Sequence, residues 1–395
     1  MTIKSRNKPN ETLNRSRLIL IHKIMKKLLV SMFILILLIA CDENSALNEN
    51  EQNNSPENQE ILKLEKIENY KKIGLVLLKT VEKNESFREL VYQECLKQKY
   101  GDYNVNLRDL LDLNEKELFW DENTAIAIED YLNNLEKLTH YETTIFIPFT
   151  ESLDSPIIEN TITNFQKNMN LTDTKVVFKD EYDNTDLTCP GYTLVNDDLN
   201  YDGDVDEDYA WENDIWVIGE AEFNNGTLPE FTNEEPNTYD GGSLPTTNIS
   251  RTEGRSEYGG IIQITDRGAV EPWIDGRFEM KYIVFSATGA KIKEKSFGKT
   301  RRRHFKNNKW VDYNDFIANW NTSNLGNFMI EAWIEEDGGG STTVSQTFPS
   351  SNGGPSTTIT YNLGNRDDDL GQSIVQFTDN IGQIYGISYS NFKRK

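Results

Sequence analysis

Arg277-Phe278-Glu279-Met280-Lys281-Tyr282-Ile283-Val284-Phe285 is the stretch on which the fold turns. Successive side chains of a strand point to opposite faces. Phe278, Met280, Tyr282 and Val284 therefore share one face, and Arg277, Glu279 and Lys281 the other. Further strand-like runs lie at 261–265, 328–334, 357–361, 373–377 and 383–389, parted by Gly, Asn and Ser turns. Strands at this spacing predict an antiparallel β-sandwich over 251–395. No internal repeat is evident.

Moving outward, residues 141–250 read as a mixed β region. Short apolar runs stand at 145–149, 175–179 and 215–218, and 223–250 is a long loop rich in Asn, Gly, Pro and Thr. Pro148 at the end of the first run predicts an edge strand. Residues 59–140 are helical in pattern. Ile61, Leu62, Leu64, Ile67, Tyr70, Ile73, Leu75, Val76 and Leu78 fall near a 3.6-residue period. Ser86-x-x-Glu89 predicts a capping-box start for a second helix. Asn106 caps a short turn through Leu107, Leu110 and Leu111, and 125–138 forms a last helix. These helices need apolar partners, either one another in a small bundle or the β region C-terminal to them. The expected class is α+β: a helical N-terminal region, a mixed β region, and a C-terminal antiparallel β-sandwich.

The first 40 residues carry a different signal. Lys26 and Lys27 precede an apolar run from Leu28 to Ala40 broken only by Ser31. A membrane-spanning helix needs about 20 apolar residues, so this shorter run behind a basic pair reads as the core of a signal peptide. Residues 1–24 are polar and basic and fit that signal poorly, which points to Met25 as the translation start. The run ends in Leu38-Ile39-Ala40-Cys41, which resembles the lipobox of bacterial lipoproteins: a small residue before the cut, then a thiol that accepts lipid. The resemblance implies cleavage before Cys41, lipidation of Cys41, and a lipid-anchored place at the outer membrane or cell surface. Residues 41–58 have almost nothing apolar to bury and read as a flexible tether.

The chain carries 64 acidic and 41 basic side chains, and eight of the basic but only one of the acidic lie in the first 40 residues. The body after the cut thus holds a net charge near −30. Such a body repels phosphates, which argues against nucleic acid and against bare anionic lipid as partners. Cys95 and Cys189 remain; an exported compartment permits a disulfide between them, and buried free thiols fit as well.

The order of blocks resembles a group of uncharacterised Bacteroidota lipoproteins. The likeness rests on Phe87-Arg88-Glu89-Leu90 leading to Lys99-Tyr100-Gly101-Asp102-Tyr103 and Leu110-Leu111, on Ile145-Phe146-Ile147-Pro148, and on Trp216-Val217-Ile218 with Glu220 and Glu222. It covers roughly half the chain and implies architecture and address, with no activity attached.

The sharpest local motif runs from Asp198 to Asp208. Asp198, Asn200, Asp202, Asp204 and Asp206 alternate, with Gly203 after the third. Calcium takes six to eight oxygen ligands, so a loop turning alternate oxygens inward would supply it. The spacing matches much of the EF-hand loop, but Tyr209 stands where the closing Glu belongs. That leaves the looser calcium loop of extracellular modules, with Glu207 or Asp208 closing it, or else a solvated acidic turn. A bound Ca2+ would be structural.

A second feature is a basic island, nine Lys/Arg between 291 and 309, centred on Arg301, Arg302 and Arg303. It could grip phosphate or an acidic glycan of the envelope, or pair with the acidic remainder of the body. A third is the aromatic set Trp273, Phe278, Tyr282, Phe285, Trp310, Tyr313, Phe316, Trp320 and Trp333. At alternate strand positions these read as core, with sugar stacking as the alternative.

Absences exclude several chemistries. HExxH, G-x-S-x-G, G-x-x-x-x-G-K-[ST] and G-x-G-x-x-G are all missing. A Cys–His nucleophile pair has no local support. Carboxylates suited to glycoside hydrolysis abound, among them Glu220, Glu222, Glu335, Glu336 and Asp337, but in so acidic a chain they discriminate little. The expectation is a binding or scaffolding protein of the cell envelope; the alternative is a secreted hydrolase acting on glycans through a carboxylate pair.

Overall fold

The computed structural model describes residues 56–99, 102–113, 116–153, 174–221, 236–240, 249–337, 340–349 and 356–395. The signal segment, Cys41, the tether up to residue 55, Glu222 and most of the 223–250 loop lie outside the described residues. The chain divides into two compact units, Met1–Leu64 and Glu65–Lys395. Of the first, the described part is the opening of helix α1 (Pro56–Lys83), where Ile61, Leu62 and Leu64 are exposed. The expected buried stripe of α1 therefore begins only at Ile67, followed by Tyr70, Ile73, Leu77 and Leu78. No helix among the described residues is long and apolar enough to cross a membrane.

Three more helices follow: α2 (Glu85–Leu96), α3 (Leu107–Asp112) and α4 (Glu122–Thr139). Asn106 caps α3 as expected, its side chain accepting from the Arg108 N–H at 2.9 Å. The cap of α2 is Asn84, not Ser86: the Asn84 side chain takes the Ser86 N–H, and the helix starts two residues earlier than the capping-box motif predicts. The helices do not make a separate bundle. They cover one face of a six-stranded mixed sheet in the order β1-β2-β6-β3-β4-β5, comprising Asn104–Asn106, Thr143–Phe146, Ile215–Glu220, Lys175–Phe178, Cys189–Val195 and Asp198–Val205.

The runs Ile145-Phe146-Ile147, Val176-Val177-Phe178 and Ile215-Trp216-Val217-Ile218 explain this sheet. Continuous apolar strands are buried on both faces. Ile145, Val176, Phe178, Trp216 and Ile218 meet the helices, while Phe146, Val177, Ile215 and Val217 pack on the opposite side with Trp273 and Ile274. Strand β2 lies between β1 and β6, so the edge placement suggested by Pro148 is wrong; the proline sits beyond the last ladder residue and costs no hydrogen bond.

The C-terminal half holds two larger sheets. One is β10-β9-β12-β15, from Lys291–Thr300, Phe278–Ser286, Phe328–Glu335 and Asp368–Gln376. The other is β16-β17-β8-β11-β7, from Tyr385–Ile387, Ser390–Lys393, Arg255–Ile264, Trp310–Trp320 and Asn237–Tyr239. Their apolar faces share one sandwich-like core in which Phe278, Met280, Tyr282 and Val284 meet Ile262, Val311, Trp320 and Phe392. Tyr282, Phe297 and Trp333 cluster with their rings near parallel, Tyr282 lying 5.3 Å from each of the other two and Phe297 6.0 Å from Trp333. A hairpin, β13 (Ser341–Phe348) with β14 (Thr357–Gly364), covers the outer face through Ile283, Phe285, Ile330, Ile359 and Tyr361. The architecture is thus α+β with a β-rich C-terminal region. Of the aromatic set, Phe316 is exposed and Tyr313 half-buried; the rest are core.

Candidate metal centre

The second face of the opening strand is not solvated. Glu279 is buried, and so are Glu271 and Glu335. Glu271 closes the short helix Arg267–Val270, its N–H bonded to Arg267 O at 3.1 Å. Glu279 is the second residue of β9, and Glu335 the last of β12, where it stands opposite Met280. The Glu279 N–H donates to Glu335 Oε1 at 2.8 Å, and the Glu336 N–H donates to Glu279 O at 2.8 Å. Asp337 lies two residues past the strand, anchored by its N–H to Asp367 Oδ1 at 3.0 Å. The pairing of β9 with β12 so gathers acids that are far apart in the chain. One carboxylate oxygen from each of Glu271, Glu279, Glu335 and Asp337 lies within 4.8 Å of the others.

Two cations offset part of this charge. Lys299 faces Glu279 across the β9–β10 ladder and ion-pairs with it. Arg302 Nη1 lies 3.4 Å from Glu271 Oε2. Both also reach acids of the helix-covered half: Lys299 Nζ is 3.6 Å from Asp102 Oδ2, and Arg302 Nε is 2.8 Å from Glu207 Oε1. Asp102 in turn accepts the Arg277 N–H at 2.9 Å, while the Arg277 guanidinium sits 4.1 Å above the Tyr103 ring. Gly276, with φ +107°, makes this approach possible, since a Cβ there would collide with Asp102.

Burial first, then the neighbouring Glu271, Glu279 and Asp337 carboxylates, pushes the Glu335 carboxyl well above its ordinary range. Burial and then Asp337 and Glu279 do the same to Glu271. Glu271 Oε1 and Glu335 Oε2 are buried without a hydrogen-bond partner. Crowded carboxylates in a dry site must hold protons or a cation, because the fully ionised set repels itself. These buried acids could hold a metal ion, and an all-oxygen donor set suits a hard cation.

The site residues named from the sequence lie elsewhere. Asp198, Asn200, Asp202 and Asp204 lie along β5, an exposed hairpin strand, rather than in a wrapping loop. Alternate residues of a strand stand about 6.6–6.8 Å apart, too far to surround one ion. Four of the five expected ligands have a local task. Asp202 pairs with Lys175 at 2.8 Å, Asp204 accepts from Tyr201 at 2.9 Å, and Asn200 donates to Val195 O and Asp198 O at 3.1 Å. Asp206 caps helix Glu207–Glu212 by accepting the Tyr209 N–H at 2.7 Å. The closed calcium loop expected there is therefore not formed.

The arginine triplet is not an open anion cradle either. Arg302 is buried and engaged by Glu207 and Glu271, and Arg303 Nε lies 3.7 Å from the buried Glu151. Arg301 heads the turn as the residue before the Arg302–Asn308 segment. Pairing with the acidic body is what Arg302 and Arg303 do. Cys95 and Cys189 are buried and free, and burial pushes the Cys189 thiol up to about 12 and Cys95 well above its usual value, so neither is a ready nucleophile.

Comparison with known proteins finds no relative: no family model, no curated protein and no solved structure matches the chain.

Proposed function

We propose that the chain is an exported bacterial lipoprotein, held by lipid on Cys41 at the outer membrane or cell surface, with a body braced by a structural calcium ion. Its work is binding or scaffolding at the envelope. The address rests on the sequence: the basic pair, the short apolar run and Ala40-Cys41, with the helical opening and β-rich close that resemble uncharacterised Bacteroidota lipoproteins. The strongly acidic body speaks against a nucleic-acid partner.

The calcium reading is carried by the convergence of Glu271, Glu279, Glu335 and Asp337. One oxygen from each of the four acids lies within 4.8 Å of the others, close enough to share one hard cation. Calcium accepts an irregular set of carboxylate oxygens, whereas magnesium demands a near-ideal octahedron and keeps several waters, which a crowded, mostly buried set does not supply. Lys299 and Arg302 offset two of the four charges, and a divalent ion would offset two more. Because both cations also hold Asp102 and Glu207, the ion would lock the sandwich against the helix-covered sheet. A carboxylate pair that hydrolyses glycosides stands about 5–9.5 Å apart in an open cleft; these acids are closer and mostly buried, which favours support over catalysis.

Two measurements test the reading. Palmitate labelling in a bacterial host should mark the wild type and not Cys41→Ala. Calorimetry on the mature protein should show calcium heat that Glu335→Gln abolishes; labelling without Cys41, or heat unchanged in the variant, would overturn the corresponding half.

A further inference from the structure

An open strand edge recruits further strands, and folds blunt their edges with short strands, charges, prolines or bulges. The outer strands of the three larger sheets all carry such a device. β1, β7 and β16 are three residues long. β10 carries Lys291, Lys293, Lys295 and Lys299, and its register with β9 shifts twice. β15 opens on Asp368 and Asp369 and shifts against β12. β5 carries Asp198, Asp202 and Asp204 and shifts against β4.

Strand β13 has none of these devices. It runs eight residues, Ser341-Thr342-Thr343-Val344-Ser345-Gln346-Thr347-Phe348, without a charge or a proline. Its register with β14 is unbroken. β14 lies on one side of it, and among the described residues no strand lies on the other. Thr342 and Gln346 are exposed, although they share the inward side with Val344 and Phe348. β14, by contrast, is covered at its start by the β9–β10 turn. The Thr357 hydroxyl donates to Ala287 O at 2.6 Å, and a Cβ on Gly289 would collide with Thr358 O.

We propose that β13 pairs antiparallel with β13 of a second copy of this chain, joining two hairpins into one four-stranded sheet across a two-fold axis. Backbone chemistry names the class of partner: a row of unpaired N–H and C=O groups is satisfied by another extended chain. Charge names the individual. The chain carries 64 acidic against 41 basic side chains, so a partner drawn by charge would settle on acidic faces and not on a neutral strand. A second copy supplies an uncharged strand of equal length. Antiparallel with itself at full overlap, β13 sets Ser341 opposite Phe348, Thr342 opposite Thr347, Thr343 opposite Gln346, and Val344 opposite Ser345. No like charges meet, and threonine pairs favour strand association. Two-fold pairing uses the same surface on each copy and closes on itself.

The outward side chains add rigidity. Thr343 Oγ1 donates to Asn362 Oδ1 at 3.2 Å, and the hydroxyl pairs Ser345–Thr360 and Thr347–Thr358 lie at 3.3 and 3.0 Å. These rungs hold the edge extended before a partner arrives, so less ordering entropy opposes pairing.

The test does not depend on calcium. Sedimentation equilibrium of the mature protein should show a reversible dimer with a micromolar dissociation constant. The dimer should tighten as salt rises, because the acidic bodies repel and salt screens them. Amides of 341–348 should gain protection from hydrogen exchange as protein concentration rises. Thr343→Lys with Thr347→Lys changes two exposed side chains and places on β13 the device that β10 uses. It should weaken the dimer at least tenfold, about 1.4 kcal/mol, with the melting temperature of the monomer unchanged. Thr343→Glu with Thr347→Glu should do the same, which separates a blocked edge from a change in net charge. A monomer at every concentration and salt would overturn the proposal. So would β13 amides already protected in the monomer by another segment of the chain, or a dimer unchanged in both variants.

Discussion

Glu335 Oε1 accepts the N–H of Glu279 at 2.8 Å across 56 residues of sequence. The contact holds two carboxylates side by side at the end of the β9–β12 ladder, where like charges repel. A fold keeps such a pair when something else compensates. Here a divalent ion, or protons in its absence, would supply the compensation.

Removing one of the four clustered acids and removing an acid of β5 should therefore have different consequences. Glu335→Gln or Asp337→Asn should lower calcium affinity by at least tenfold in calorimetry, a loss of about 1.4 kcal/mol or more. Asp202→Ala, which breaks only the half-exposed pair with Lys175, should leave calcium affinity unchanged and cost at most about 1 kcal/mol of stability.

The pH dependence has a definite sign. Glu151 is buried, and that burial pushes its carboxyl up to about 7 against the pull of Arg277 and Arg303. Glu271 and Glu335 are raised as well. The folded chelated protein thus holds protons that the unfolded chain, with carboxyls near 4.3, has released. This stabilisation is complete below the unfolded value and lost as pH rises through the folded one, which for Glu151 is about 7. Chelated protein should melt higher at pH 5 than at pH 7. Glu151→Gln should flatten the profile by about 3 kcal/mol across that window. Calcium competes with the protons, so its affinity should rise from pH 5 to pH 8.

Arg302 should matter far more than its neighbours in the triplet. It is buried, bonded to Glu207 and Glu271, and lies 4.2 Å over the Phe278 ring. Arg302→Ala strands those acids and should cost about 3–5 kcal/mol in denaturant unfolding. Arg303→Ala, a partly exposed pair with Glu151, should cost about 1 kcal/mol or less.

The sandwich core should be equally sensitive. Trp333 is fully buried against Tyr282 and Phe297, and its indole donates to Glu331 Oε1 at 2.9 Å. Trp333→Ala should cost about 3–5 kcal/mol.

Local patterns carried the fold and missed the centre. Alternation at Phe278, Met280, Tyr282 and Val284 gave the inner face of β9 correctly, because strand periodicity is a local property. The same alternation placed Glu279 on the opposite face and gave no sign that this face is buried. Its burial depends on Lys299, Glu335 and Asp102, which are contributed by other elements. Glu335 and Asp337 stood among the acids too common to single out, and Glu271 carried no signal. The conspicuous run from Asp198 to Asp206 misled because alternate oxygens describe a strand as well as a loop. The hairpin with Cys189–Val195 decides for the strand. Pro148 misled similarly, since its place just past the ladder, which ends at Phe146, could not be read locally.

The most direct test is an anomalous difference map from crystals of the mature protein grown with millimolar calcium chloride. A peak ringed by Glu271, Glu279, Glu335 and Asp337, lost in Glu335→Gln crystals, is the result predicted. A peak on the 198–206 strand instead, or no peak among the four acids, would contradict a calcium centre at these residues.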